Sequence, residues 1–137
     1  MYIMSKRSRN NLAGVHPKLV ECVEEALRIT EQDFTVVEGV RTIEKQREYF
    51  KKGASKTMNS RHLKQPDGFG HAVDLYPYYD GSVQVDAPFS RFKAIKDAMF
   101  AAAKKVGCKL TWGADWDRDG DSNDERFVDS PHYQIEL

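Results

Sequence analysis

His62, His71 and Asp74 all fall in the segment SRHLKQPDGFGHAVDLYP, residues 60–77, and a further histidine, His132, follows Asp129 in DSPHYQ. Imidazole nitrogens and carboxylate oxygens are donors that zinc accepts. A catalytic zinc takes three protein side chains and leaves a fourth position for water. Water held there reaches a pKa of about 7, which makes it a nucleophile for hydrolysis near neutrality. The chemistry therefore turns on which of these side chains can meet.

Strand geometry narrows the choice. If residues 71–76 are extended, Ala72, Asp74 and Tyr76 share one face and His71, Val73 and Leu75 share the other, so His71 and Asp74 point apart. A loop over residues 63–70, rich in Gly and Pro, can fold back and set His62 beside Asp74. Added residues in such a loop cost little, because closure entropy grows only logarithmically with length. His132 opens a strand in which Tyr133 and Ile135 face the other way. The remaining histidine, His16 in GVHP, reads as a surface or capping residue ahead of a helix. On residue types alone His62, Asp74 and His132 form a candidate zinc trio, and three unrelated polar residues account for the same pattern.

The elements that must position these residues alternate along the chain. Pro17 suits a first helical turn, and Leu19, Cys22, Val23, Ala26 and Leu27 form one apolar face up to about Thr30. FTVVEGV from Phe34 reads as a strand, followed by a helix capped by Thr42 and ending near Gly53. HAVDLYPY is a second strand, with a turn at YDGS and a short VQV return. Pro88 opens the longest helix, whose stripe of Phe92, Ile95, Met99, Ala102 and Val106 ends at Gly107. CKLTW and HYQIEL supply two more strands. This order predicts an α+β fold with a small, mostly antiparallel sheet against helices.

At 137 residues the chain is expected to form one domain over residues 1–137. Its 21 basic and 21 acidic residues balance, so there is no electrostatic footprint for nucleic acid or an anionic membrane. The N-terminal MYIMSKRSRNNLAG lacks the apolar run of a secretory signal, and no apolar stretch approaches membrane-spanning length; synthesis as a soluble cytoplasmic protein is expected. Cys22 and Cys108 are read as buried free thiols rather than a redox pair.

A second metal is suggested by GADWDRDGDSNDERF. Asp115, Asp117 and Asp119 before Gly120, continued by Asp121 and Asn123, match the opening of a calcium loop, while the twelfth position is Arg126 and Glu125 comes one residue early. A solvated acidic loop is the competing reading.

Several motifs in order give a resemblance across nearly the whole chain. NLAGVHPKLV, DFTVVEGVRT, SRHL, GHAVDLYPY, WGADWD and DSPHYQIEL look like the zinc D,D-carboxypeptidase and L-alanyl-D-glutamate peptidase family, in particular its single-domain phage endolysins. The resemblance implies the D,D-carboxypeptidase (hedgehog/DD-peptidase) type of fold, with His62, Asp74 and His132 as zinc ligands and Asp129 as catalytic base. It also implies that Arg41 of GVRT binds or polarises the substrate carbonyl. From position alone Arg41 would equally serve a surface ion pair. Ser60, Tyr76 and Trp112 are candidate substrate-cleft residues, with core or surface roles as the alternative.

The function implied is hydrolysis of the L-Ala–D-Glu bond of the peptidoglycan stem peptide by a monomeric endolysin. Such an enzyme is made in the host cytoplasm and released to the wall with the help of a separate holin. Alternatives are a D-alanyl-D-alanine carboxypeptidase or dipeptidase, and a zinc-containing wall-binding domain without catalysis; the presence of both Asp129 and Arg41 argues against the last.

Overall fold

Helix starts follow the local chemistry of the chain in the computed structural model, which describes residues 2–53, 58–115 and 129–137. Helix α1 (Lys6–Asn11) is capped by Ser5, whose side chain accepts from the Ser8 amide. Pro17 opens α2 (Pro17–Ile29), where His16 Nδ1 accepts from the Lys18 amide at 3.1 Å, the capping role read for it from sequence. Thr42 caps α3 (Ile43–Lys51) by accepting from the Lys45 amide. Pro88 precedes α4 (Phe89–Val106), which ends at Gly107.

Among the described residues, helix α1 is the one helix that the sequence reading left out. Its six residues carry no apolar stripe. It is held instead by tertiary contacts: buried Ser8 accepts from the Val36 amide at 2.9 Å, and Asn11 Nδ2 donates to the Val36 carbonyl at 2.8 Å.

The strands are β1 (Phe34–Glu38), β2 (Ala72–Tyr79), β3 (Ser82–Val83), β4 (Lys109–Trp112) and β5 (His132–Glu136). They form one sheet in the order β1-β2-β5-β4, with β3 paired to β2, and every named pair is antiparallel. The β2–β3 turn passes through Asp80 and Gly81 at φ 53° and 79°. Two positive φ values match the right-handed twist of a hairpin and require residues of this kind.

Period-2 burial divides the sheet residues. Val73 and Leu75 of β2, Tyr133 and Ile135 of β5, and Leu110 of β4 enter the core with Leu19, Cys22, Val23 and Ala26 of α2 and Ile95, Met99 and Ala102 of α4. Val106, the last residue of the expected α4 stripe, is only partly buried. Asp74, Tyr76 and Gln134 alternate with the core residues and are partly exposed. Cys22 is buried and Cys108 partly buried; both are free, and burial pushes both thiols above their ordinary range. Among the described residues no helix is long and apolar enough to cross a membrane.

Candidate metal and catalytic site

Three strands contribute to one line across the sheet. Asp74 on β2 is register partner to Glu38 on β1 and to His132 on β5. A register shift between Val36 and Glu38 marks the bulge at this end of β1. On the other side the Leu75 amide donates to the Pro131 carbonyl at 2.9 Å, so Asp74 and His132 fall between ladder bonds. Side chains of an antiparallel pair lie closest at such a position. His132 Nδ1 is accordingly 3.5 Å from Asp74 Oδ1.

His62 reaches the same carboxylate from the loop. Its Nε2 lies 3.1 Å from Asp74 Oδ1, and its ring centroid is 5.1 Å from that of His132. The loop is pinned at both ends: the Arg41 amide donates to the His62 carbonyl and the His71 amide to the Arg61 carbonyl, both at 2.8 Å. Between them the chain closes on itself, the Gln65 amide donating to the Phe69 carbonyl and the Gly68 amide to that of Gln65. The loop is thus closed locally and holds His62 beside Asp74. His71 is turned elsewhere, with Nε2 2.7 Å from Asp67 Oδ2, and His16 stands behind the same carboxylate oxygen at 4.0 Å.

Donor atoms of His62, Asp74 and His132 all lie within 4.8 Å of one another, and this is the one such group of His, Cys, Asp and Glu among the described residues. His62 and His132 are 2% and 6% exposed. The Gly39 carbonyl accepts from His62 Nδ1 at 2.8 Å, which turns Nε2 toward Asp74. Burial works against the Asp74 carboxylate, yet the two imidazoles hold its pKa far below the ordinary range. For His132 burial is likewise overcome by Asp74, which pushes the ring above its usual value. The field between the three groups favours a cation, and the donor set suits a divalent metal.

Arg41 lies beside this group. It is buried; Nε donates to Glu38 Oε1 at 2.8 Å, Nη2 also bonds Glu38, Nη1 donates to Gln46 Oε1 at 2.6 Å and more loosely to Ser60 Oγ at 3.5 Å, and Nη2 is 3.9 Å from Asp74 Oδ2. Glu38 and Asp74 are neighbouring carboxylates on adjacent strands, so the guanidinium offsets their repulsion. Each of its nitrogens already has a protein partner.

Asp129 precedes β5 and is fixed through its backbone. Its amide donates to the Gly113 carbonyl at 2.8 Å, and its carbonyl accepts from the His132 amide at 3.0 Å. Burial and then the charge of Asp74 raise its pKa, against the opposing pull of His132, His62 and Arg41. A carboxylate raised in this way is a better proton acceptor.

The candidate cleft residues differ in placement. Ser60 is buried and accepts from the His62 amide at 3.1 Å, which shapes the loop. Tyr76 stays partly exposed on the alternation of Asp74; burial and the nearby carboxylates, Asp74 first among them, push its hydroxyl up to about 12. Trp112 is placed in the core at 4% exposure, with Nε1 donating to the Ser130 carbonyl at 2.7 Å and its ring stacked on Phe89. Of the acidic segment, Asp115 is described, its amide donating to the Trp112 carbonyl; Asp117, Asp119 and Asp121 lie outside the described residues. Sequence reasoning passed over Glu38, which holds Arg41 and which only the bulge and sheet order bring to the site. It also passed over Gln134, which strand alternation from His132 could have found.

The model of the phage L-alanyl-D-glutamate peptidase family matches residues 1–137. The chain belongs to that family. It is 35% identical over 123 residues to the L-alanyl-D-glutamate peptidase of Escherichia phage T5, covering 88% of this chain and 85% of that protein. The fold is similar to the crystal structure of Serratia marcescens L-Ala D-Glu endopeptidase ChiX, with a TM-score of 0.81 and 35% identity over 97% of this chain and 89% of that chain. Family membership makes the chain a peptidase and agrees with the α+β fold.

Proposed function

We propose that this peptidase is a zinc-dependent endolysin that hydrolyses the L-Ala–D-Glu bond of the peptidoglycan stem peptide. The observation that carries the reading is the convergence of His62, Asp74 and His132 on one point. These three would hold zinc, which when bound supplies a Lewis acid and water of lowered pKa. Asp129 accepts the proton of the attacking water and returns it to the leaving amine. Arg41, with Glu38, Gln46 and Ser60 holding its plane, presents positive charge toward the oxygen that becomes anionic, or toward a carboxylate of the substrate. Tyr76 and Ser60 border the same region. The enzyme acts as a single-domain monomer, made in the host cytoplasm and reaching the wall after a holin opens the membrane.

Mass spectrometry of purified peptidoglycan digested by the protein tests the bond. New N-terminal D-Glu is expected, abolished by a strong chelator and restored by zinc. Loss of terminal D-Ala instead would make the enzyme a carboxypeptidase, and full activity after metal removal would end the zinc reading.

We also propose that Asp115, Asp117, Asp119 and Asp121 bind calcium. Titration calorimetry should show calcium uptake that Asp117→Ala with Asp119→Ala weakens, with zinc content unchanged. No uptake by the parent protein would refute it.

A further inference from the structure

A hydrogen-bonded row runs along β5 away from the site, and its far end dictates its near end. Glu136 Oε1 accepts from Thr111 Oγ1 at 3.0 Å and from Gln134 Nε2 at 2.9 Å, while Arg61 Nη1 is 3.6 Å from Glu136 Oε2. An ionised carboxylate only accepts, so the Gln134 amide must turn its NH₂ toward Glu136 and its oxygen the other way. That oxygen, Oε1, is 2.9 Å from His132 Nε2. A carbonyl oxygen also only accepts, so His132 must carry its proton on Nε2. The ring nitrogen left with a lone pair is Nδ1, the one 3.5 Å from Asp74. Residues 132, 134 and 136 lie on one face of the strand by alternation, and cross-strand pairing sets Thr111 opposite Gln134.

We infer that Gln134 is a positioning residue: anchored by Glu136, it fixes the tautomer and ring orientation of His132 so that Nδ1 faces the metal. The inference rests on the proposed metal site. Gly39 serves His62 in the same manner, but from the backbone, so only the His132 side of the pair is open to side-chain substitution. Gln134→Met keeps chain length and removes the acceptor. Gln134→Glu keeps an acceptor but sets a carboxylate against Glu136, and adding Glu136→Gln restores a donor–acceptor match.

Zinc affinity of the full chain, measured by competition with a chromophoric chelator, is expected to fall about 10–100-fold in Gln134→Met, the range for outer partners of metal-bound histidines. The Gln134→Glu/Glu136→Gln protein should recover most of it, and Gln134→Glu alone should not. The ¹⁵N shifts of the His132 ring at alkaline pH, without metal, should report protonated Nε2 in the parent and a mixture in Gln134→Met. A merely structural role would lower the melting temperature and leave the ring tautomer unchanged. Parent-like zinc affinity in Gln134→Met, or a parent ring protonated on Nδ1, overturns the inference and leaves the metal site standing. A parent protein that binds no zinc overturns both.

Discussion

Under the proposed mechanism, Asp129→Asn is expected to keep the bound metal and lose its activity, whereas His132→Ala loses both. His132 is one of three side-chain donors around a single point, so its removal leaves two, fewer than a catalytic zinc ordinarily takes from protein. Asp129 stands outside that trio, held by backbone bonds to Gly113 and His132 that an asparagine preserves. The change removes the proposed proton acceptor alone. General-base catalysis is typically worth about 10²–10⁴-fold, and turnover at neutral pH should fall by that order. Metal content and turnover of both proteins check the assignment: metal-free Asp129→Asn would make Asp129 a ligand, and metal-replete His132→Ala would remove His132 from the site.

Gly113→Ala should disable the enzyme without touching any group that meets substrate. A Cβ at Gly113 would lie 2.0 Å from the Asp129 carbonyl oxygen and 3.0 Å from Asp129 Cβ, and the first of these is backbone that cannot rotate aside. Accommodation means parting the two segments, with strain on the Asp129 amide bond to Gly113 and the Gly113 amide bond to the His132 carbonyl. Overpacking of this kind costs about 1–3 kcal/mol. The catalytic effect should exceed the effect on folding, because a displacement near 1 Å can cost about 10²-fold in rate. Turnover and thermal unfolding of the variant together test this; parent-like turnover would show that the approach of the two segments does not set the position of Asp129.

What could be read from the sequence was what local chemistry decides. Pro17, Thr42 and the Asp80–Gly81 turn announce their elements because the backbone conformation each needs is written in its own side chain or ring. The buried stripe of α4 is visible because four of its five expected residues repeat at helical spacing and sink into the core. His71 could be set apart from Asp74 by alternation alone. Helix α1 could not be seen, because Ser8 and Asn11 hold it through bonds to β1 rather than through an apolar face of its own. Glu38 was hidden for a related reason: only the bulge in β1 and the order of strands make it the neighbour of Asp74. Trp112 shows the opposite limit, since an aromatic beside a suggestive motif has the same letter whether it lines a cleft or, as here, packs in the core.

The place of β5 between β2 and β4 bears on when the molecule becomes active. His132, Gln134 and Asp129 arrive with that strand, while His62 and Asp74 sit on segments far earlier in the chain. Pairings of such long sequence separation form late, since loop closure precedes the contacts that reward it. A chain in which α2, β1, α3 and β2 have already assembled therefore holds two of the three candidate metal donors and lacks the proposed proton acceptor, Asp129. The proposed site is therefore completed only when β5 takes its place beside β2.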